Sequence, residues 1–427
     1  MKNSIIYIGL FGLLFLGSCK KYEDPGFLDA PTTELLVNPT LDDLVLLTKG
    51  VEAQAKVDIE MYVDIVGAIG REAFDLNGID PRYTGELLGA ENGPLDPGGF
   101  LTTRSYAARY KTVLQANNVL TGLENTTASL SDAQVNSFKG FVNTMKANAL
   151  QMNLNTQYDN GIRIDTEDPA NQGPFLSRED SQEAIRSLLD VAYTQLTSGG
   201  SSFPFDLGSG FSHVSTPSEF AKFNRGLAAK AALYSGDESA ALTAIGLSFM
   251  DLADDMSIGG YLSYNVADNI NNPLNHTAKF MAHPSFIDDA AIGDNRLLKT
   301  QLSLTPVSFD GLTSDYRANI YLDNGANVSI IRNEELILIF AEASVVSNSA
   351  DAINAINTVR NAAGIGNYTG GVQQAELMDE IATQRRYSLF GEGHRWIDMR
   401  RWNRLDELPL DRENDSVHTQ FPRPFGE

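Results

Sequence analysis

The stretch from Phe223 to Ser248, FNRGLAAKAALYSGDESAALTAIGLS, decides the fold class. Its first half is rich in Ala and Leu, among the best helix formers. Ala232, Leu233 and Tyr234 then lead into Gly236-Asp237, after which a second Ala-rich run begins. Two short helices joined by a tight turn, with small side chains between them, are the expected structure. Leu336 to Ala363 repeats the theme, with IFAEAS, a short Ser/Asn turn, and then DAINAINTVRNAAG.

Helical periodicity extends outward from these pairs in both directions. It predicts helices near 41–56, 103–124, 131–157, 178–198, 217–234, 238–253, 332–347, 350–363 and 374–390. Ser131 with Gln134 makes a capping-box pattern, and Thr216-Pro217-Ser218-Glu219 adds a proline at the first helical position. Ser198-Gly199-Gly200 and Gly364-Ile365-Gly366 mark breaks. The paired helices resemble degenerate tetratricopeptide units, in which an aromatic closes the turn. Between the helices lie insertions at about 70–102, 158–176, 200–215 and 257–330, which hold many Gly, Pro, Asn and aromatic residues. No long alternating strand series appears, which argues against a β-sandwich or an outer-membrane barrel. The expected fold class is mainly α, with tetratricopeptide-like helical pairs supporting long loop-rich insertions.

The 427 residues carry 32 Lys plus Arg against 55 Asp plus Glu, a formal net charge of −23. That balance disfavours nucleic acid, whose phosphates demand a basic field. The single cysteine, Cys19, forbids a disulfide framework and any Cys-rich metal site. No cofactor or metal is called for. Residues 1–18, MKNSIIYIGLFGLLFLGS, place Lys2 before an apolar run from Ile5 to Leu16. That run is shorter than the roughly 20 helical residues needed to span a bilayer, so it reads as a signal peptide. Leu16-Gly17-Ser18-Cys19 resembles a bacterial lipobox, which makes Cys19 the expected lipidation site and acyl chains the membrane attachment. Residues 19–40, with Lys20-Lys21-Tyr22-Glu23-Asp24 and four prolines or glycines beyond, read as an acidic tether.

The most distinctive segment is QRRYSLFGEGHRWIDMRRW, from Gln384 to Trp402. A functional reading is an anion site or a catalytic His394/Asp398 pair, since i,i+4 spacing places the two on one helical face. A catalytic His needs a cleft and an activated partner, and nothing in the sequence supplies them. The preferred reading is an ion-paired structural lock of Arg385, Arg386, Glu392, His394, Arg395, Trp396, Asp398, Arg400, Arg401 and Trp402, with Glu335 and Glu342 as further acids. This segment resembles the C-terminal signature of the SusD/RagB family of Bacteroidetes outer-membrane nutrient-binding lipoproteins, ERRxELxFEGHRWxDLRRW. Gln384 and Ser388 replace its two glutamates, and Phe390-Gly391 departs from its usual pair. Ile331 to Ala343, Ala355 to Gly364, Asp294-Asn295-Arg296 and Phe421 to Glu427 are similar to other family segments.

The resemblance implies one SusD-like helical domain over 41–427, with an N-terminal part about 41–257 and a signature part about 258–427. It implies a lid on a SusC-like TonB-dependent transporter at the outer membrane, facing the cell exterior and capturing a glycan or another nutrient. The signature motifs would be structural. Sugar recognition needs flat aromatic faces with amide, carboxylate or Arg groups. Asp75, Asn77, Arg82, Tyr83, Phe309 and Tyr316, drawn from the first and last insertions, are the candidate ligand-binding residues, with an Asx turn the competing account of Asp75 to Tyr83. The alternatives are a surface glycoside hydrolase, which needs two opposed carboxylates, and a scaffold that binds only proteins. No HExxH, GxSxG or P-loop pattern occurs, so the chain is not expected to be an enzyme.

Overall fold

The computed structural model describes residues 33–168, 170–268, 270–275 and 280–427. The expected signal peptide, Cys19 and most of the tether lie outside the described residues. The structure is mainly helical. Helices α1 (Leu41–Lys56) and α2 (Ile59–Ile69) lead into strand β1 (Ala73–Asp75). Then follow α3 (Phe100–Asn125), α4 (Asp132–Gln157), α5 (Arg178–Thr197), α6 (Pro217–Tyr234) and α7 (Glu238–Ile245). The rest comprises β2 (Gly259–Leu262), β3 (Phe280–Ala282), α8 (Pro284–Asp288), β4 (Thr300–Phe309), β5 (Leu312–Ala318) and β6 (Val328–Arg332). Helices α9 (Asn333–Ser344), α10 (Ser349–Ala362), α11 (Gln374–Ser388) and α12 (Arg395–Arg401) close the chain.

Both expected capping boxes form, at Ser131 and Thr216, where each side chain accepts the N3 backbone N–H. The pairs α6/α7 and α9/α10 pack together as the turn sequences require. Helix α7 is shorter than its predicted span, because Gly246 caps it and the apolar pattern runs on into a turn. Helix α2 is buried on nearly every face, so it lacks the one-sided periodicity by which helices are read.

The last insertion is not simply loop. Its strands β3, β5 and β4 join β1 of the first insertion in a four-stranded antiparallel sheet in the order β1-β3-β5-β4, and β2 pairs with β6 in a second sheet. Strand β4 lies at the sheet edge, largely exposed, and its register slips between Leu302 and Val307. Pro306 falls in that gap, where a missing N–H costs no ladder bond.

A seven-ring aromatic cluster fixes the core. Phe138 and Phe141 of α4 and Phe220 and Phe223 of α6 meet Phe203, Phe205 and Phe211 of the 200–215 insertion. The Phe141 and Phe220 centroids are 5.2 Å apart. This insertion is therefore part of the core, anchored by its own phenylalanines. Phe220 is fully buried, and Phe220→Ala is expected to cost about 3–5 kcal/mol in urea unfolding. A loss below about 1 kcal/mol would contradict a packed cluster.

Candidate functional site

The signature segment is built around buried charge. Arg385 donates to both oxygens of Asp398, at 2.7 and 3.1 Å, and Arg401 Nε donates to the same carboxylate at 2.9 Å. Arg401 also pairs with Glu342, whose Oε1 accepts the Trp402 indole N–H at 2.7 Å. Burial alone would raise the Asp398 carboxyl, but the two guanidiniums hold it below the usual aspartate range. Arg332 pairs with Glu392, and Arg386 with Asp289 at 2.9 Å. Arg395 Nε donates to Gly70 O at 3.1 Å. Burial, aided by Lys230 and Arg385, pushes His394 well below the ordinary imidazole range, so it is neutral at pH 7. Glu335 pairs with Lys230 at 2.9 Å. With both Asp398 oxygens engaged by arginine, that carboxylate is not available to orient His394 as a catalytic pair would require.

The six candidate ligand residues do not form one cluster. Asp75 belongs to β1 rather than a loop, buried opposite Phe280, with its carboxylate accepting the Asn77 N–H at 3.2 Å. Asn77 is exposed, its side-chain oxygen accepting from Ile79 N at 2.8 Å. Arg82 is ion-paired with Asp80 and lies 4.4 Å over the Phe100 ring, which also faces Tyr83. Phe309 packs on Gly78, so it does meet the 75–83 segment. Tyr316 sits apart, against Phe286, Tyr387 and Phe390.

A groove of about 600 Å³ runs along α3 instead. Thr103, Ala107, Tyr110 and Leu114 repeat at helical spacing and form its floor together with Tyr106. The Tyr106 and Tyr110 rings meet edge-on, 4.9 Å apart. Tyr106 is buried, its hydroxyl makes no well-formed hydrogen bond, and burial pushes it far above its ordinary pKa. Tyr110 Oη donates to Arg163 O at 3.0 Å and accepts Arg163 N–H at 2.9 Å. Gly161, at φ +63°, makes the turn that delivers Arg163; a Cβ there would collide with Leu176 O. Arg163 and Arg423 lie 4.4 and 4.3 Å from the Phe175 ring.

The opposite wall is the C-terminal tail. Pro424 to Glu427 line the groove, and Phe425 is 81% exposed beside Gly98. Glu427, the one acidic side chain among the described residues of the lining, accepts from Arg163 Nε at 3.1 Å. Lys111 and Gln172 stand exposed at the rim. Sequence reasoning missed this groove because its tyrosines belong to a helix taken as scaffold. The signals present were the i,i+4 Tyr106/Tyr110 pair and the aromatic of the closing Phe421 to Glu427 segment. Among the described residues, no group of three or more His, Cys, Asp or Glu could hold a metal, and no helix is long and apolar enough to cross a membrane.

Comparison with known proteins bears out the family resemblance. Residues 315–423 match the model of the SusD family. A crystal structure of a SusD superfamily protein from Bacteroides vulgatus superposes with a TM-score of 0.69 at 16% identity, covering 90% of this chain and 96% of that one. A SusD-like carbohydrate binding protein from the same organism gives 0.66 at 18% identity, covering 84% and 83%. Surface glycan-binding protein A from Bacteroides thetaiotaomicron, in complex with laminarihexaose, gives 0.67 at 15% identity, covering 90% and 96%. No curated protein matches the chain.

Two pH-dependent predictions follow from the buried acids. Asp398→Asn leaves two buried guanidiniums short of a counter-charge and should cost about 3–5 kcal/mol near neutrality. Because the folded carboxyl is held below its ordinary 3.8, the wild-type advantage is present above that pH and fades below it. Glu72 behaves oppositely: burial pushes it up to about 8 from 4.5, although Arg395 pulls the other way. Its contribution is complete below pH 4.5 and lost as pH rises through 8. Glu72→Gln should therefore gain on wild type over that window in pH-resolved thermal melts; parallel curves would refute the assignment.

Proposed function

We propose that the protein is a SusD-like surface lipoprotein that binds an oligosaccharide in the α3–tail groove and delivers it to a SusC-like TonB-dependent outer-membrane transporter. The fold it shares with structures described as carbohydrate binding, and with one holding laminarihexaose, supports the ligand class. The groove carries the reading: the half-buried Tyr110 and the exposed Phe425 offer apolar faces, while Lys111, Arg163, Gln172 and Glu427 offer donors and acceptors for hydroxyls. Hydrolysis of a glycosidic bond needs two carboxylates across the substrate. Among the described residues lining this groove the one carboxylate side chain, that of Glu427, is already engaged by Arg163. Capture without cleavage is the chemistry it supports. Attachment would be through acyl chains on Cys19, and the net charge of −23 speaks against nucleic acid as a partner.

Calorimetric titration with a panel including laminarihexaose tests this. Saturable binding without release of reducing ends is expected, and release would sink the binding-only reading. Phe425→Ala should weaken binding about tenfold, the loss of about 1.4 kcal/mol expected when an exposed aromatic contact is removed. Co-purification with a large TonB-dependent barrel checks the delivery step.

A further inference from the structure

We propose that Arg400 is a positioning residue for the ligand groove: it fixes the tail segment whose end forms one wall, a role that rests on the groove being the ligand site. The residues after Leu408 contain no helix or strand, so the carbonyls of this tail need donors from elsewhere. Arg71 serves the carbonyls of Pro409 and Ser416, and a set of four side chains serves those of residues 418–422. Trp396 Nε1 donates to His418 O at 2.7 Å and Arg400 Nη1 to Thr419 O at 2.8 Å. Asn160 Nδ2 donates to Phe421 O at 2.7 Å and Gln157 Nε2 to Pro422 O at 3.3 Å.

Arg400 alone in this set also holds the scaffold, since its Nη2 donates to Asn155 O in the last turn of α4. That carbonyl lies among the last four of the helix, which lack helical partners. The guanidinium plane is clamped between rings, 3.9 Å from Tyr158 and 4.7 Å from Trp396. Tyr158 adopts φ +47°, ψ −114°, a strained geometry for a residue with a side chain. Its turn sends the chain from α4 toward Asn160 and Arg163, both of which grip the tail. One flat cation thus ties together the end of α4, the strained turn and the tail. Lysine has neither the planar fork nor the stacking face to replace it.

Arg400→Lys and a chain ending at Arg423 form a double-mutant cycle, with laminarihexaose as probe and hydrogen exchange of residues 418–423 as second readout. Arg400→Lys should weaken binding at least tenfold and speed exchange in the tail without ligand. In the shortened chain it should cause no further loss of affinity. Phe220→Ala, remote from the groove, controls for lost stability and should leave affinity and tail exchange unchanged. Wild-type affinity and tail protection in Arg400→Lys would overturn the proposal, as would losses that simply multiply across the cycle. If the wild type binds no glycan of the panel, the ligand reading falls, and the groove-positioning role with it, whatever the exchange rates show.

Discussion

The joint packing of α9, α11 and α12 leans on one buried carboxylate. Asp398 is 2% exposed and holds two guanidiniums, Arg385 from α11 and Arg401 from its own helix. An ionised carboxylate in such a place is stable only while paired and hydrogen-bonded. Arg401 passes the pairing on to Glu342 of α9, so three helices are fixed by one chain of charges. α12 is short, and this network sets its angle. Its angle in turn decides where Trp396 and Arg400 point, and those two side chains carry the tail.

The same logic explains why an acidic chain buries so many arginines. Arg71 is fully buried, yet it donates to the carbonyls of Pro409, Ala68, Ile69, Leu88 and Ser416. Arginine brings five donors on one rigid plane. Irregular backbone has the opposite need, because its carbonyls find no ladder or helix partner. Segments 84–98 and 409–427 are mostly irregular and lie against each other, with His418 Nε2 at 2.7 Å from Glu86 O and Arg412 donating to Thr84 O. Buried guanidiniums let such segments pack without secondary structure. The acids that dominate the net charge sit largely at the surface, where they keep their hydration.

This division also decides what could be read from residues alone. Helices with one apolar face and a capping residue, such as α4 and α6, were legible to within a residue or so at each end. Helix α2 was not, because burial on all sides erases the period. Strand β4 was not, because an exposed edge strand with a register slip keeps little of the alternation that marks a half-buried one. An acidic chain must neutralise an arginine cluster somewhere, which made Glu335 and Glu342 candidate acids; Glu342 pairs with Arg401, whereas Glu335 pairs with Lys230. The groove escaped because its walls come from α3 and from a tail some three hundred residues later, and because Tyr106 and Tyr110 look like ordinary helix-face residues.

That asymmetry bears on how the fold and the ligand site evolve apart. At 15–18% identity the backbone architecture is retained, which requires only that buried groups keep partners and volume. Positions at the groove rim have no such constraint, since Lys111, Gln172 and Phe425 touch mostly solvent. They can change without disturbing the core, and function follows the site rather than the fold. Arg400 belongs to both sets. Its partners are backbone carbonyls, indifferent to which side chains the tail carries, so one motif can present tails of different sequence. A signature arginine bonded only to backbone is thus compatible with a variable binding wall, whereas one bonded to tail side chains would tie the motif to a single ligand.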